Sequence, residues 1–251
     1  MRVTVKIVVI IPARMASTRF PGKPLAKICG HSMIEHVYKR VNFSKYIDDA
    51  YVATCDKEIA DEVAKFGGKA IMTSSEHTRG TERVAEAVCN IEADIVINVQ
   101  GDEPMVDPVI LDNAIQFLKS KADIRCLNLV SPITSWKTYR NQNIVKVAVG
   151  KDSKILYFSR SPIPNQSENE FKGAIKQLGI YLIQKPLLMK YAKWEESALE
   201  IVEKVDMLRF LENNADIHSF MATDITGVDT PEDLEMVTKH IQKDELLKKI
   251  F

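Results

Sequence analysis

Short apolar runs alternate with amphipathic segments along the first half of the chain. Residues 3–11 form an almost unbroken β-branched run that ends at Pro12 and is typical of a strand buried on both faces of a parallel sheet. Apolar strand patterns recur after it, separated by segments of helical period. The predicted strands are residues 50–54, 69–73 and 94–99, and the predicted helices are residues 33–41, 57–66, 81–91 and 107–121. This alternation predicts an α/β fold with a doubly wound, mostly parallel sheet.

The second half has a less regular pattern. Two strand-like runs, residues 143–149 and 154–158, flank Gly150 and predict an antiparallel pair, and residues 165–173 form a polar loop. Further strands are predicted at residues 176–183 and 217–222, and further helices at residues 186–192 and 199–213. Because no repeat, low-complexity segment or linker divides the chain, we expect one domain over residues 1–251.

Charge and cysteine usage exclude several classes of function. Lysine and arginine total 34 against 34 aspartates and glutamates, so no long-range field would attract nucleic acid or an anionic membrane. The sequence contains no secretory signal and no apolar run of about 18 residues, so we expect no membrane insertion. Cys29, Cys55, Cys89 and Cys126 lie far apart without metal-ligand spacing, which favours reduced thiols, no zinc site and a cytoplasmic location.

The segment PARMASTRFPGKPL, residues 12–25, places three cations directly after the first predicted strand. These cations are Arg14, Arg19 and Lys23, and Gly22 among them lets backbone N–H groups approach a ligand closely. Loops at the carboxyl ends of parallel strands are where α/β proteins bind ligands. The segment therefore favours a triphosphate site, with a solvated basic loop as the alternative.

Two carboxylates are candidates for a metal site. Asp102 follows the strand predicted at residues 94–99, where from the residues alone a turn former is more common than a metal ligand. Asp229 precedes a helix start that Thr230 and Asp233 can cap without it. Mg²⁺ takes one or two protein carboxylates and completes its octahedron with water and phosphate oxygens. A carboxylate at either position could supply a ligand to such an ion.

Six motifs in order resemble the 3-deoxy-manno-octulosonate (KDO) cytidylyltransferase family of sugar nucleotidylyltransferases, and the resemblance runs nearly end to end. They are IPARMASTRFPGKPL at 11–25, EHTRGTER at 76–83, NVQGDEP at 98–104, YFSR at 157–160, LGIY at 178–181 and GVDTPEDLE at 227–235. The resemblance implies a homodimeric enzyme of lipopolysaccharide biosynthesis, with the family's fold, that activates a KDO-type sugar acid with CTP and releases pyrophosphate. It further implies that residues 1–125 mainly bind nucleotide, and that residues 126–251 mainly bind the sugar acid and form the dimer.

The resemblance also implies roles for individual residues. Asp102 and Asp229 would bind Mg²⁺, and the catalytic set would be Arg14, Lys23 and Asp102. The nucleotide would be bound by Arg14, Ser17, Arg19, Lys23, Thr73, Arg83 and Gln100. The sugar acid would be bound by Arg160, Gln177, Glu203 and Asp206. From the residues alone, Arg160 could be a surface strand residue, and Glu203 and Asp206 could form a solvated helix face.

The chain departs from the family pattern mainly on the sugar side. Arg79 replaces a serine, Gln177 a histidine, and Asp206 and Met207 a Glu-Gln pair, whereas Cys55 replaces an aspartate on the nucleotide side. We therefore add Arg79 and Met207 to the sugar set and hypothesise an acceptor with an amino group, such as 8-amino-KDO. The alternatives are ordinary variation within a KDO enzyme, a sialic or pseudaminic acid, or a sugar 1-phosphate. A silent nucleotide-binding subunit is disfavoured because Lys23, Asp102 and Asp229 are present.

Overall fold

The protein is described by a computed structural model that covers residues 5–16, 20–223 and 227–251. The strands are β1 Ile7–Pro12, β2 Lys27–Ile28, β3 His31–Ser32, β4 Asp49–Thr54, β5 Ala70–Met72, β6 Ile95–Val99, β7 Cys126–Ile133, β8 Lys146–Val149, β9 Ile155–Ser159, β10 Ala174–Gln184 and β11 His218–Met221. The α-helices are α1 Met33–Val41, α2 Lys57–Lys65, α3 Gly80–Val88, α4 Pro108–Ser120, α5 Trp136–Arg140, α6 Lys185–Tyr191, α7 Ala198–Glu203, α8 Met207–Glu212, α9 Pro231–Ile241 and α10 Leu247–Ile250. Short 3-10 turns span Lys23–Leu25 and Glu168–Glu170.

The main sheet has the strand order β11-β7-β10-β6-β1-β4-β5. β1 pairs in parallel with β4 and β6, β4 with β5, and β11 with β7. β10 runs antiparallel to both β6 and β7, and the antiparallel hairpin β8–β9 joins the sheet beside β10. The prediction of a doubly wound, mostly parallel α/β sheet with an antiparallel second half is confirmed.

Side chains of the central strand alternate between two buried cores. Ile7, Val9 and Ile11 pack with residues of α1, α2 and α4 on one face of the sheet. Val8 and Ile10 pack with residues of α3, α6 and α8 on the other face. Burial on both faces explains why this strand is an unbroken apolar run rather than an alternating one. It also leaves the ends of the strands as the places where polar side chains can gather.

The helix predicted at residues 199–213 is wrong as a single element. The structure divides it into α7 and α8 at Lys204, whose φ of 54° lies in the left-handed region. A left-handed residue ends a right-handed helix, so the chain turns between the two short helices. Within the residues that the structure describes, no helix is both long enough and apolar enough to cross a bilayer.

Helix α9 begins immediately after Asp229 and Thr230, and its start is fixed by a capping box. The capping box predicted from Thr230 and Asp233 is confirmed, since Thr230 Oγ1 accepts from Asp233 N and the Asp233 carboxylate accepts from the Asp229 and Thr230 N–H groups. Val237 and Ile241 of α9 pack with residues of β2 and α1 in a third cluster. The start of α9 therefore holds Asp229 at a defined place beside the sheet.

Under this C-terminal region, α1 carries His36 with no exposed surface. Its Nε2 lies 2.8 Å from the Ile28 carbonyl oxygen, and burial lowers the pKa of His36 from 6.5 to about 4. Arg40 and His31 lower the pKa further, whereas the Ile28 carbonyl and Glu35 oppose them. His36 is therefore neutral in the folded protein at neutral pH.

We expect His36 to make the protein less stable as the pH falls from 6.5 to 4. The unfolded chain takes up a proton in this range while the folded one does not, so the stabilisation is complete above pH 6.5 and lost below it. About 2 kcal/mol of unfolding free energy should be lost between pH 7 and pH 5. Urea unfolding at both pH values measures this loss. His36→Gln keeps a donor for the Ile28 carbonyl, so an equally steep loss in this variant would contradict the assignment.

Candidate functional site

A polar cleft of about 300 Å³ opens at the carboxyl ends of β1 and β6. Because these strands are parallel neighbours, Pro12 and Val99 end at the same edge of the sheet, and the segments that follow them meet there. The cleft contains four cations, one amide and one carboxylate from the predicted site: Arg14, Lys23, Arg79, Arg83, Gln100 and Asp102. Such a surplus of positive charge suits a polyphosphate.

Lys23 places its ammonium between the two predicted metal carboxylates. Gly22, at φ 71°, starts the 3-10 turn that carries Lys23 into the cleft. The ammonium nitrogen lies 2.5 Å from Asp102 Oδ2, 3.7 Å from Asp229 Oδ1 and 2.8 Å from the Val228 carbonyl oxygen. The Val228 N–H in turn donates to the Asp102 carbonyl, which joins the end of β6 to the segment before α9. Sequence positions 127 residues apart thus form one charged cluster.

The donor set in this cluster fits a magnesium ion. Two carboxylates already surround a single positive charge, and both keep about a third of their side-chain surface exposed. Among the described residues, no group of three or more His, Cys, Asp and Glu side chains could hold a metal by itself. An ion here would therefore take further ligands from water and phosphate, which is the manner in which Mg²⁺ binds in nucleotide sites.

Four of the nucleotide-side predictions, Arg14, Lys23, Arg83 and Gln100, line the cleft. Arg83 is 3% exposed, and its Nη1 donates to Thr73 Oγ1 at 2.5 Å and to the Ser74 carbonyl at 3.2 Å. Among the described residues, Thr73 is not one that lines the cleft, and it contacts the cleft wall through Arg83. The predicted Ser17 and Arg19 lie outside the described residues.

A chain of hydrogen bonds leads from Gln100 away from the cleft to the sugar-side residue Asp206. Gln100 Nε2 donates to Asn98 Oδ1 at 3.1 Å, and Asn98 Nδ2 donates to Thr81 Oγ1 at 3.3 Å. The Thr81 hydroxyl then donates to Asp206 Oδ2 at 2.6 Å. Asp206 thus binds the first turn of α3, which borders the cleft at Gly80.

Arg160 and Glu203 lie together at the junction of β9 and α7. The Glu203 carboxylate accepts from the Arg160 N–H at 2.7 Å and from Ser159 Oγ at 2.8 Å. The Arg160 side chain donates to the carbonyls of Glu203 and Gln142, at 2.7 Å and 3.2 Å. Both residues therefore organise the backbone next to the β8–β9 hairpin. As far as the described residues define it, the cleft wall does not include them.

The other two sugar-side residues are also engaged by the protein. Gln177 Nε2 donates to Asn128 Oδ1 at 3.1 Å, between β10 and β7. Met207 has no exposed surface and packs in the core cluster under the sheet. Any effect of Met207 on an acceptor would therefore act through the position of its neighbours.

Sequence reasoning did not identify Glu103, which is 7% exposed beside Asp102. Its Oε1 accepts from the Gly179 N–H at 2.9 Å, whereas its buried Oε2 has no hydrogen-bond partner among the described residues. Burial and the negative charge of Asp102 raise the pKa of Glu103 to about 8. A Cβ on Gly179 would lie 2.8 Å from Gln100 Cγ, so only glycine allows β10 to approach this closely. The position of Glu103 directly after Asp102 in the NVQGDEP motif was the signal in the sequence that could have identified it.

Comparison with known proteins agrees with this geometry. The sequence profile of the cytidylyltransferase family matches residues 8–217. The chain is 41% identical to a 3-deoxy-manno-octulosonate cytidylyltransferase of Geobacter metallireducens over 95% of this chain and 98% of the relative. It is 44% identical to the enzyme of that name from Thermodesulfovibrio yellowstonii over 92% of this chain and 96% of the relative.

A solved structure shows the same likeness in three dimensions. The structure of CMP:2-keto-3-deoxy-manno-octonic acid synthetase complexed with CTP superposes with a TM-score of 0.87 at 38% sequence identity. The alignment covers 95% of this chain and 99% of that protein. The similarity therefore extends over nearly the whole length of both proteins.

Proposed function

The chain belongs to the 3-deoxy-manno-octulosonate cytidylyltransferase family, and from this we propose that it activates KDO with CTP for lipopolysaccharide biosynthesis. The products are CMP-KDO and pyrophosphate. The observation that carries the proposal is the cationic cleft in which Lys23 lies between Asp102 and Asp229. This arrangement supplies charge for a triphosphate and a carboxylate pair for a divalent ion at one place.

In the proposed reaction, the anomeric 2-hydroxyl of the sugar acid attacks the α-phosphate of CTP in line with the leaving pyrophosphate. Arg14 and Lys23 bind the phosphates from the loop after β1, and the buried guanidinium of Arg83 adds positive charge to the cleft wall. Negative charge grows on pyrophosphate as the bond to the α-phosphate breaks, so cations held in place beforehand stabilise the transition state. The described side chains thus act by orientation and charge, with no protein nucleophile.

Asp102 and Asp229 are the residues that would hold Mg²⁺. When bound, the ion supplies Lewis acidity and a template for the phosphate oxygens. Lys23 then has the phosphates as alternative partners to the two carboxylates. The same ammonium can therefore compensate the carboxylates in the free protein and the pyrophosphate in the complex.

The preference for an 8-amino acceptor stays a prediction. The four sugar-side departures motivate it, and the charged departure Asp206 accepts from the Thr81 hydroxyl and N–H. An ammonium at the sugar tail would need a hydrogen-bond acceptor or a carboxylate; Asp206 is the first candidate, and Gln177 and Glu203 are further candidates. The family's own acceptor needs no such group, so KDO and its 8-amino analogue can be distinguished by rate.

Pyrophosphate release with CTP, Mg²⁺ and a panel of acceptors tests the function. Turnover with KDO or 8-amino-KDO is expected, and its absence with both, combined with turnover of a sialic acid or a sugar 1-phosphate, would overturn the proposal. A kcat/KM for 8-amino-KDO at least about tenfold above that for KDO would support the amino preference, since a charge-assisted hydrogen bond contributes about 1.5–3 kcal/mol. Parity or a preference for KDO would return the enzyme to the ordinary acceptor.

We expect Lys23→Ala to weaken CTP binding at least about tenfold more than CMP binding. The outer phosphates are the proposed partners of the Lys23 ammonium, and CMP lacks them. Calorimetric dissociation constants for both nucleotides measure the difference. Equal weakening of CTP and CMP would place Lys23 elsewhere in the site.

The homodimer, the cytoplasmic location and the division of labour between residues 1–125 and 126–251 belong to this proposal as well. Their support is the family membership. The described cleft is built mainly from residues before position 125, which agrees with a nucleotide-binding first half.

A further inference from the structure

Arg79 is a cation of the cleft that pairs with Glu196, a carboxylate outside the cleft wall. The residue precedes α3, and its own N–H and that of Thr78 donate to the Glu82 carboxylate, each at 3.2 Å. The backbone of Arg79 is therefore fixed at the cleft wall. Arg79 lines the cleft, and its side chain is 20% exposed.

One carboxylate oxygen of Glu196 lies within hydrogen-bond distance of the side chains of Thr78 and Arg79. Glu196 Oε1 accepts from Arg79 Nε at 3.1 Å, lies 3.0 Å from Arg79 Nη2, and lies 3.5 Å from Thr78 Oγ1. Glu196 belongs to the loop before α7, and its side chain is 37% exposed. The carboxylate is thus held by the cleft-lining segment although it is not part of the cleft wall.

The buried neighbours of this pair are balanced without Glu196. Glu200 lies 3.4 Å from Arg79 Nε, but it is fully buried and accepts two hydrogen bonds from Arg209, at 2.6 Å and 2.8 Å. Arg209 also donates to Glu82 at 2.8 Å. The network holds two arginines and three glutamates, so it has one negative charge in excess. Removing the charge of Glu196 would leave the buried part of the network paired and neutral.

We propose that Glu196 is a specificity-determining residue that competes with substrate for Arg79. It occupies the guanidinium that would otherwise bind an anionic oxygen of a ligand in the cleft, either a phosphate of the nucleotide or the carboxylate of the sugar acid. An anion that enters must draw Arg79 away from Glu196, and the displaced carboxylate then repels it. The residue thereby weakens the binding of an anion that pairs with Arg79, and leaves an anion that does not use Arg79 largely unaffected. This inference rests on the proposed function for the identity of the two ligands.

Glu196→Gln tests the inference, with Glu195→Gln as a matched control. Glu195 is the exposed neighbour, and its substitution makes the same change in net charge. KM is measured for CTP and for the sugar acid, each with the other substrate saturating. Because an exposed ion pair is a weak competitor, we expect Glu196→Gln to lower one KM about two- to fivefold, with kcat within about twofold of the wild type. A lower KM for CTP identifies a phosphate, and a lower KM for the sugar acid identifies the carboxylate.

A double-mutant cycle distinguishes competition from a general field effect. Arg79→Gln should raise the same KM, and adding Glu196→Gln to it should change nothing further, because the competitor then has no target. An unchanged or higher KM in Glu196→Gln would overturn the proposal, as would an equal effect of Glu195→Gln. If the wild type releases pyrophosphate normally and Glu196→Gln has the same KM values as the wild type, this inference fails but the proposed function stands. If the wild type uses no sugar acid, calorimetric binding of CTP and pyrophosphate to the same variants still decides the phosphate case.

Discussion

Asp102→Asn and Asp229→Asn are each expected to lower kcat by about 100-fold or more while leaving the fold intact. Both carboxylates surround the Lys23 ammonium at the edge of the cleft, which is where the charge of a nucleotide-bound ion would be needed. Removal of one essential electrostatic contact in an active site has this scale of effect. The fold should survive because the Val228 N–H donates to the backbone carbonyl of Asp102. The start of α9 is likewise capped by Thr230 and Asp233.

Pyrophosphate release as a function of Mg²⁺ concentration measures this effect, and circular dichroism checks the fold. Asp123→Asn is the matched control, since Asp123 is an exposed aspartate at the opposite end of the sheet strands, just before β7. A near-normal kcat in Asp229→Asn would remove Asp229 from the metal site. A kcat loss of similar size in Asp123→Asn would show that the assay reports overall charge.

The elements around the nucleotide could be predicted because local pattern determines them. The first strand is a continuous apolar run, and α1 was predicted with its observed bounds. Thr230 and Asp233 indicated the start of α9. The same patterns located the loop of Lys23 and the end of β6, whose meeting follows from the parallel sheet. For these parts, residues near in sequence carry the signal.

The second half was harder because its structure depends on partners distant in sequence. β7 was not predicted, since it contains Asn128 and Pro132. In the sheet, Asn128 Nδ2 donates to the carbonyls of Leu178 and Ile180, so the strand tolerates a buried amide only because β10 lies beside it. The break between α7 and α8 at Lys204 also occurs where the sequence keeps a helical pattern. The family resemblance indicated Arg160 and Gln177 as sugar-binding residues in this half. Only the structure shows that both side chains form hydrogen bonds to other protein groups.

The loss of Arg209 should lower the stability of the protein strongly. It is 2% exposed, donates twice to the fully buried Glu200 and once to Glu82, and stacks 4.4 Å from the ring centroid of Tyr191. Burial opposes its charge, but hydrogen bonds to Glu200 and Glu82 outweigh burial and raise the pKa of Arg209. Arg209→Met would leave the Glu200 carboxylate buried without its main partner. We expect a loss of about 3–5 kcal/mol of unfolding free energy.

Urea unfolding at neutral pH measures this loss, and two further variants test its cause. Lys57→Met removes one partner of the exposed ion pair with Asp61 and should lower the unfolding free energy by less than about 1 kcal/mol. Adding Glu200→Gln to Arg209→Met removes the unpaired buried charge of Glu200. The double variant should recover a large part of the lost unfolding free energy, because the destabilisation comes from an unpaired buried ion rather than from the missing attraction. If the double variant is as unstable as Arg209→Met alone, lost packing against Tyr191 accounts for the effect instead. Arg209 also donates to Glu82, which accepts from the N–H groups of Thr78 and Arg79 at the cleft. Arg209→Met should therefore weaken CTP binding as well.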